Sequence, residues 1–357
     1  MKKAVLAMAA LAACTSSAWA QSSVTLYGIV DAAVRYVSNN NGAQKQLIPG
    51  GMSESRLGVN ITEDMGGGLK ALANLEHRLN SDTGTISAAE FWRQAWVGLQ
   101  SNDFGQIRLG RQYNVLFDVY TSTYASFRYS PYIEAFKPEI GLSAGARQSN
   151  MVKYLGQVGN FYGEVQVSAG EGTGPADKSV GGLLRYNDGT IGLGGAYEQV
   201  TDLLGKKVKA TTFGGSYTSG PLYVNLSWGQ NKFDQGGQLG AAFTSGLIKG
   251  YNSIAVLNAA ANDVKKRDMI MGGLTYQLTP QLNLGAEYWR AEQTHYALAL
   301  ANTKSKADHF AVVADYAFSK RTDAYVEADY TKYTGAVAFS NGATKRGGTM
   351  VGVRHRF

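Results

Sequence analysis

Ser23-Val24-Thr25-Leu26-Tyr27-Gly28-Ile29-Val30-Asp31-Ala32-Ala33-Val34-Arg35-Tyr36-Val37-Ser38-Asn39 alternates in character along its length. Leu26, Gly28, Val30, Ala32, Val34 and Tyr36 share one parity; Thr25, Asp31 and Arg35 share the other with Tyr27 and Ile29. Successive side chains of an extended chain point to opposite faces, so this is a two-faced strand long enough for a barrel wall. The same grammar recurs downstream. After a loop at Asn39 to Gly51, Ser55, Leu57, Val59 and Ile61 oppose Glu54, Arg56, Asn60 and Thr62, and Leu69, Ala71, Ala73 and Leu75 oppose Lys70, Asn74, Glu76 and Arg78. Farther on, Val165 and Val167 oppose Glu164 and Gln166, and Leu226 and Trp228 oppose Asn225 and Ser227. In the strand through Arg93, Ala95, Val97 and Leu99, both Trp92 and Trp96 sit on the opposite parity beside Gln94, and its facing stays open.

Connections follow a rhythm. Short ones at Ser101 to Gly105, Gly156 to Asn160, Asn187-Asp188-Gly189, Ser219-Gly220-Pro221, Leu278 to Gln281 and Ser319 to Thr322 carry turn residues. Between them fall longer stretches, Thr201 to Lys207, Phe233 to Val264, Thr294 to Lys306 and Thr334 to Gly347. Short turns on one side and long loops on the other are the pattern of a membrane-spanning barrel. Periodicity alone does not say which face is the lumen, but the strand count does. Sixteen segments can be counted, and a closed sheet of that size encloses more space than side chains fill. The polar face must then meet water and the apolar face lipid. In the last segment, Gly348 to Phe357, Val351, Val353, His355 and Phe357 oppose Arg354 and Arg356. Such an edge needs a partner, and pairing with the first strand closes the sheet. The expected fold is all-β, a 16-stranded antiparallel transmembrane β-barrel.

The 33 residues from Asn114 to Ala146 are too many for an ordinary connection. They carry Phe117, Tyr120, Tyr124, Phe127, Tyr129, Tyr132 and Phe136, with Asp118, Glu134 and Glu139 and the basic Arg128 and Lys137. So much apolar surface needs something large to pack against. The expectation is a loop folded into the lumen that sets the channel width; the alternative is a surface lid or an ordinary loop with a small cluster of its own.

Composition agrees with strands. The chain has 357 residues, with 44 Gly, 21 Tyr and 6 Pro. Lys2-Lys3, the apolar run Ala4 to Cys14 and Ala18-Trp19-Ala20 read as an export signal over residues 1–20, leaving 21–357 as the barrel. Leu11-Ala12-Ala13-Cys14 also resembles a lipoprotein box, with Cys14 the lipidated residue. Cys14 is the sole cysteine, so cleavage after Ala20 leaves no disulfide and no Cys-ligated metal. The net charge of +7 becomes +5 without Lys2 and Lys3, and no run of five basic residues occurs; nucleic-acid binding has no support. His77, His295, His309 and His355 are scattered, and neither metalloprotease nor hydrolase motifs nor a nucleotide-binding loop is present. No enzymatic activity, cofactor or metal is expected.

Several pieces resemble the Gram-negative general porins, in particular their β-proteobacterial branch. They are Gln21-Ser22-Ser23-Val24-Thr25-Leu26-Tyr27-Gly28, Ser55-Arg56-Leu57-Gly58, Thr62-Glu63-Asp64, Arg93-Gln94-Ala95-Trp96-Val97-Gly98-Leu99, Leu109-Gly110-Arg111-Gln112, Ser319-Lys320-Arg321-Thr322 and Gly352-Val353-Arg354-His355-Arg356-Phe357. The resemblance covers the exported chain end to end. It implies a homotrimer in outer-membrane lipid and lipopolysaccharide, an eyelet formed by the third long loop, and Phe357 as the signal read by the β-barrel assembly machinery. It also implies a basic ladder at the eyelet, with Arg56, Arg93 and Arg147 at matching positions, Glu76 as their acidic neighbour and Asp118 as the loop acid. The aromatic load after Asp118 departs from the family pattern.

Guanidinium suits such a filter, since it stays charged and passes an anion from one planar fork to the next. With Arg78 and Lys153 added to the basic wall, and Glu134 and Glu139 to the loop acids, the expectation is passive diffusion of ions and small hydrophilic solutes with anion preference. The alternatives are a solute-specific channel, or an adhesive or structural surface barrel acting through Phe233 to Val264. Intact mass of the exported protein is expected to fit a start at Gln21; a lipid adduct on Cys14 would reverse the leader assignment.

Overall fold

The computed structural model describes residues 22–38, 42–87, 91–127, 146–171, 176–237, 264–296, 304–335 and 342–357. The expected leader over residues 1–20 and its expected cleavage site, Arg128 to Glu139 of the long loop, and most of Phe233 to Val264 lie outside the described residues.

The strands are β1 (Ser23–Val37), β2 (Gln44–Ile48), β3 (Arg56–Gly66), β4 (Leu69–Arg78), β5 (Trp92–Ser101), β6 (Gly105–Tyr113), β7 (Arg147–Val158), β8 (Phe161–Ser168) and β9 (Ala176–Asn187). They continue as β10 (Ile191–Asp202), β11 (Lys207–Ser219), β12 (Leu222–Phe233), β13 (Val264–Gln277), β14 (Leu282–His295), β15 (Ser305–Ala317), β16 (Thr322–Thr334) and β17 (Lys345–Arg356). All pairings are antiparallel, and from β3 to β17 each strand pairs with the next in sequence. β2 and β3 share one edge of β1: Ala33–Val37 pairs with Gln44–Ile48, and Ser23–Ile29 with Arg56–Thr62. They form one interrupted stave, so the barrel has sixteen. Its other edge closes on β17 from Ile29↔Arg356 to Val37↔Gly348, as the alternation predicts. Gly28 and Phe357 exchange two backbone hydrogen bonds of 3.1 Å, and a Cβ on Gly28 would overlap the Phe357 ring.

The facing is settled. Val30, Val34, Val165, Val167, Leu226, Val326, Val351 and Val353 are exposed on the outside, whereas Asp31, Arg35, Glu164, Gln166, Asn225, Glu327 and Arg354 are buried on the inside. Tyr36, Tyr276, Tyr288 and Tyr316 belong to the outward set, as expected of interfacial rings. Among the described residues no helix is long and apolar enough to cross a membrane.

Two sequence expectations change, and one facing left open is resolved. The loop at Asn39 to Gly51 contains β2, whose five residues were too short for their alternation to be recognised. Thr201 to Lys207 is a tight turn: Thr201 pairs with Lys207, and Asp202 Oδ1 accepts the N–H groups of Leu204 and Lys206. In β5 the register against β4 slips between Glu76 and His77, so that Trp92 pairs with His77 and Gln94 with Glu76. This bulge leaves Arg93 as the extra residue and turns it inward, although Val97 and Leu99, of the same parity, face out. The exposed Trp92 beside the inward Arg93 comes from that insertion.

The long loop enters the barrel. Asn114 caps a short helix, α1 (Val115–Val119), its Oδ1 accepting the Phe117 N–H at 3.0 Å, and a π-helical turn follows at Tyr120–Tyr124. Val115, Leu116, Phe117, Val119, Tyr120 and Tyr124 are buried with Leu183, Ala196 and Val200 of β9 and β10. Polar wall groups hold the backbone: Asn225 donates to Tyr124 O at 2.7 Å and Tyr223 to Ala125 O at 2.8 Å. The aromatic load is therefore a docking face, which excludes the surface lid for this part.

Val326 sits in mid-strand with outward neighbours Val351 and Ala314 in register. Val326→Arg is expected to cost about 2–4 kcal/mol, the range for a cation on the apolar belt near mid-depth, read as a lowered urea midpoint for unfolding from lipid vesicles.

Candidate functional site

Between β2 and β3 the chain leaves the wall. Pro49-Gly50-Gly51-Met52-Ser53-Glu54-Ser55 turns inward, and all seven residues are buried. Gly50 has φ 115°, a region open to glycine, and its carbon would meet Ser53 O if substituted. The turn delivers Glu54 to four guanidinium groups. Glu54 Oε2 lies 3.2 Å from Arg93 Nε and 4.0 Å from Arg147 Nη2, and Oε1 lies 3.1 Å from Arg78 Nη1. Arg56 Nε donates to the Glu54 carbonyl at 2.9 Å.

Glu76, on β4, takes the other prong of Arg93 at 3.0 Å and accepts from Tyr27 OH at 3.0 Å. Tyr113, at the end of β6, supplies an aromatic surface: the Arg147 and Arg93 guanidinium carbons lie 4.7 and 5.5 Å from its centroid. Its ring also stacks on Phe117 of α1 at 4.3 Å, joining the wall to the inserted loop. Arg56 and Arg78 are directly opposed in register, a repulsive arrangement that the interposed Glu54 relieves.

A second group lies beside it. Lys153, almost wholly buried, contacts Asp118 Oδ2 at 2.5 Å and Glu164 Oε2 at 2.9 Å, and Tyr162 OH donates to Glu164 at 2.6 Å. Asp118 is thus an inward loop acid facing a cation, but that cation is Lys153 and not one of the four arginines. Of the residues named from sequence, Arg56, Arg78, Arg93, Arg147 and Glu76 come together, Lys153 and Asp118 form the neighbouring pair, and Phe357 lies at the barrel seam. Glu134 and Glu139 lie outside the described residues. Sequence reasoning missed Glu54 as the hub, having placed it on a strand, and missed Tyr113; Pro49-Gly50-Gly51 was the available signal for a departure from the wall. Among the described residues no cluster of His, Cys, Asp or Glu suits a metal ion.

A closed sixteen-stranded barrel with an apolar exterior, a charged interior and a loop folded inside defines a water-filled transmembrane channel. The model of the Gram-negative porin family matches residues 7–336. Outer membrane porin protein 32 of Delftia acidovorans is 31% identical, over 100% of both chains. The solved anion-selective porin from Comamonas acidovorans superposes with a TM-score of 0.70 at 26% identity, covering 94% of this chain and 100% of its own. OmpT of Vibrio cholerae, solved in a trimer form, shares the fold alone, with a TM-score of 0.66 and 17% identity over 94% and 99% of the chains. The chain belongs to the Gram-negative porin family: it is an outer-membrane β-barrel that forms a passive diffusion channel.

Lys153→Met would leave Asp118 and Glu164 facing each other without their shared cation. Removing one member of a buried ion cluster is expected to lower unfolding stability by about 3–5 kcal/mol, measured as a shift in the denaturant midpoint of the folded barrel.

Proposed function

We propose that this porin prefers anions and that the filter is the group of Arg56, Arg78, Arg93 and Arg147 around Glu54 and Glu76. The carrying observation is the charge balance: among the described residues of this group, four fixed guanidinium charges stand against two carboxylates. An anion crossing here meets an excess of two positive charges, and planar donors that exchange it without losing their proton. The name of the Comamonas relative supports the same sign. Asp118 and Lys153 extend the charged surface onto the inserted loop, and Tyr113 is a rigid face against which Arg93 and Arg147 lie.

The same reading includes a leader over residues 1–20 that is removed on export, assembly as a homotrimer in lipid and lipopolysaccharide, and Phe357 as the handle for the barrel assembly machinery. It requires no reaction step: conduction follows from a wet lumen and a fixed field, so the chain is read as a channel and not an enzyme.

Arg56, Arg78 and Arg147 are partly accessible, whereas Arg93 is buried. The double variant Arg56→Gln, Arg147→Gln is expected to lower the anion-to-cation permeability ratio by about threefold or more, the effect of two charges removed at several ångströms across water. Reversal potentials across planar bilayers under a salt gradient measure this. An unchanged potential in channels of native conductance would remove these arginines from the filter.

A further inference from the structure

The segment from Pro49 to Ser55 breaks a stave of the barrel, and a break in a membrane wall strands backbone N–H groups. Here they converge on one carboxylate. Asp31, fully buried on β1, accepts the N–H of Gly51 at 3.2 Å, Met52 at 3.1 Å and Ser53 at 2.7 Å. Tyr325 of β16 donates to Asp31 Oδ1 at 2.6 Å while its oxygen accepts Gly51 N–H at 3.0 Å. Ser55 Oγ closes the far end, bonding Asp31 N–H and Asp31 O at 3.0 Å each, and Arg354 of β17 donates to Ser53 Oγ at 2.8 Å. Met52 is buried with Phe127 of the long loop, Tyr325 and Met350. A Cβ at Gly51 would strike Tyr325 OH and Met350 Sδ, so the segment lies tight on the wall. Asp31 and Tyr325 act on the arginine group through the segment.

We propose that Asp31 and Tyr325 are positioning residues of the filter: they clasp residues 49–55 inside the barrel so that Glu54 stands among the arginines, and they thereby set the strength of anion preference. The proposal rests on the filter reading given above. Glu54 carries one of the two negative charges in the group, and its place depends on a seven-residue excursion with no strand pairing of its own. Undoing the clasp frees the excursion and withdraws that charge. Selectivity then shifts toward anions, the direction opposite to loss of an arginine.

The test uses the full-length protein purified from outer membranes, with Asp31→Ala and Tyr325→Phe compared with Glu54→Gln. Tyr325→Phe keeps the buried ring and loses only the hydroxyl, so it remains informative if Asp31→Ala does not fold. In each variant the anion-to-cation permeability ratio is expected to rise by about two- to fivefold, the effect of one elementary charge removed at roughly 4–8 Å across water. The clasp has its own readout, because cleavage after Ala20 leaves no cysteine. Met52→Cys is expected to resist a water-soluble thiol reagent in the otherwise native chain and to react at least about tenfold faster beside Tyr325→Phe, as a side chain released from a fully packed site does. If Glu54→Gln raises the ratio but Tyr325→Phe leaves both ratio and thiol reactivity at native values, the clasp is overturned and the filter stands. Should Tyr325→Phe expose Met52→Cys while neither it nor Glu54→Gln alters the ratio, the filter reading fails and control of selectivity by the clasp fails with it.

Discussion

Inside a bilayer no water is available for a stray peptide group, and that constraint shapes every part of this molecule. It makes the sheet close, joining β1 to β17 and tying the backbone of Phe357 to that of Gly28. It also makes the one broken stave costly. Where the chain departs between Ile48 and Arg56, a buried carboxylate and a phenol take over the bonds that a neighbouring strand would have made. A defect in the wall thus becomes a means of placing an acidic side chain in the lumen.

The electrostatics depend on that placement. Arg56 and Arg78 face each other across β3 and β4, and Arg93 and Arg147 crowd the same Tyr113 ring. Four like charges so close repel strongly, and burial weakens their screening by solvent. Glu54 and Glu76 bring the group to a balance that is still positive, so the wall holds together and keeps a net positive charge. The inserted loop follows the same logic with Lys153 between Asp118 and Glu164, charge held by charge beside an apolar docking face.

Much of the fold was legible because a barrel strand repeats one rule many times. The alternation in Ser23–Val37 and in Leu226 and Trp228 against Asn225 and Ser227, with short turns such as Asn187-Asp188-Gly189, specified strands, and the strand count then gave facing and closure. The long loop announced itself by length and aromatic content, and Phe117, Tyr120 and Tyr124 are buried within the barrel as that content required. The failures share one cause: single-residue or short departures from the repeat. The bulge at Arg93 reverses parity with no glycine or proline to mark it. β2 is too short for its period to stand out, and Glu54 was read as a strand residue because Glu54 and Arg56 happen to be two apart. The partners of the arginines were harder still, since contacts such as Arg354 to Ser53 join positions 301 residues apart and leave no local trace.

The clasped segment rests on β1, β16 and β17, the first stave and the last two, and so bridges the seam from within. Its three supports come together only when the ends of the chain meet. A sheet still open along that line has no completed aperture, whatever the state of its other fifteen joints. Closure of the conduit and completion of its charged aperture are therefore a single event, and a half-finished barrel has no such aperture.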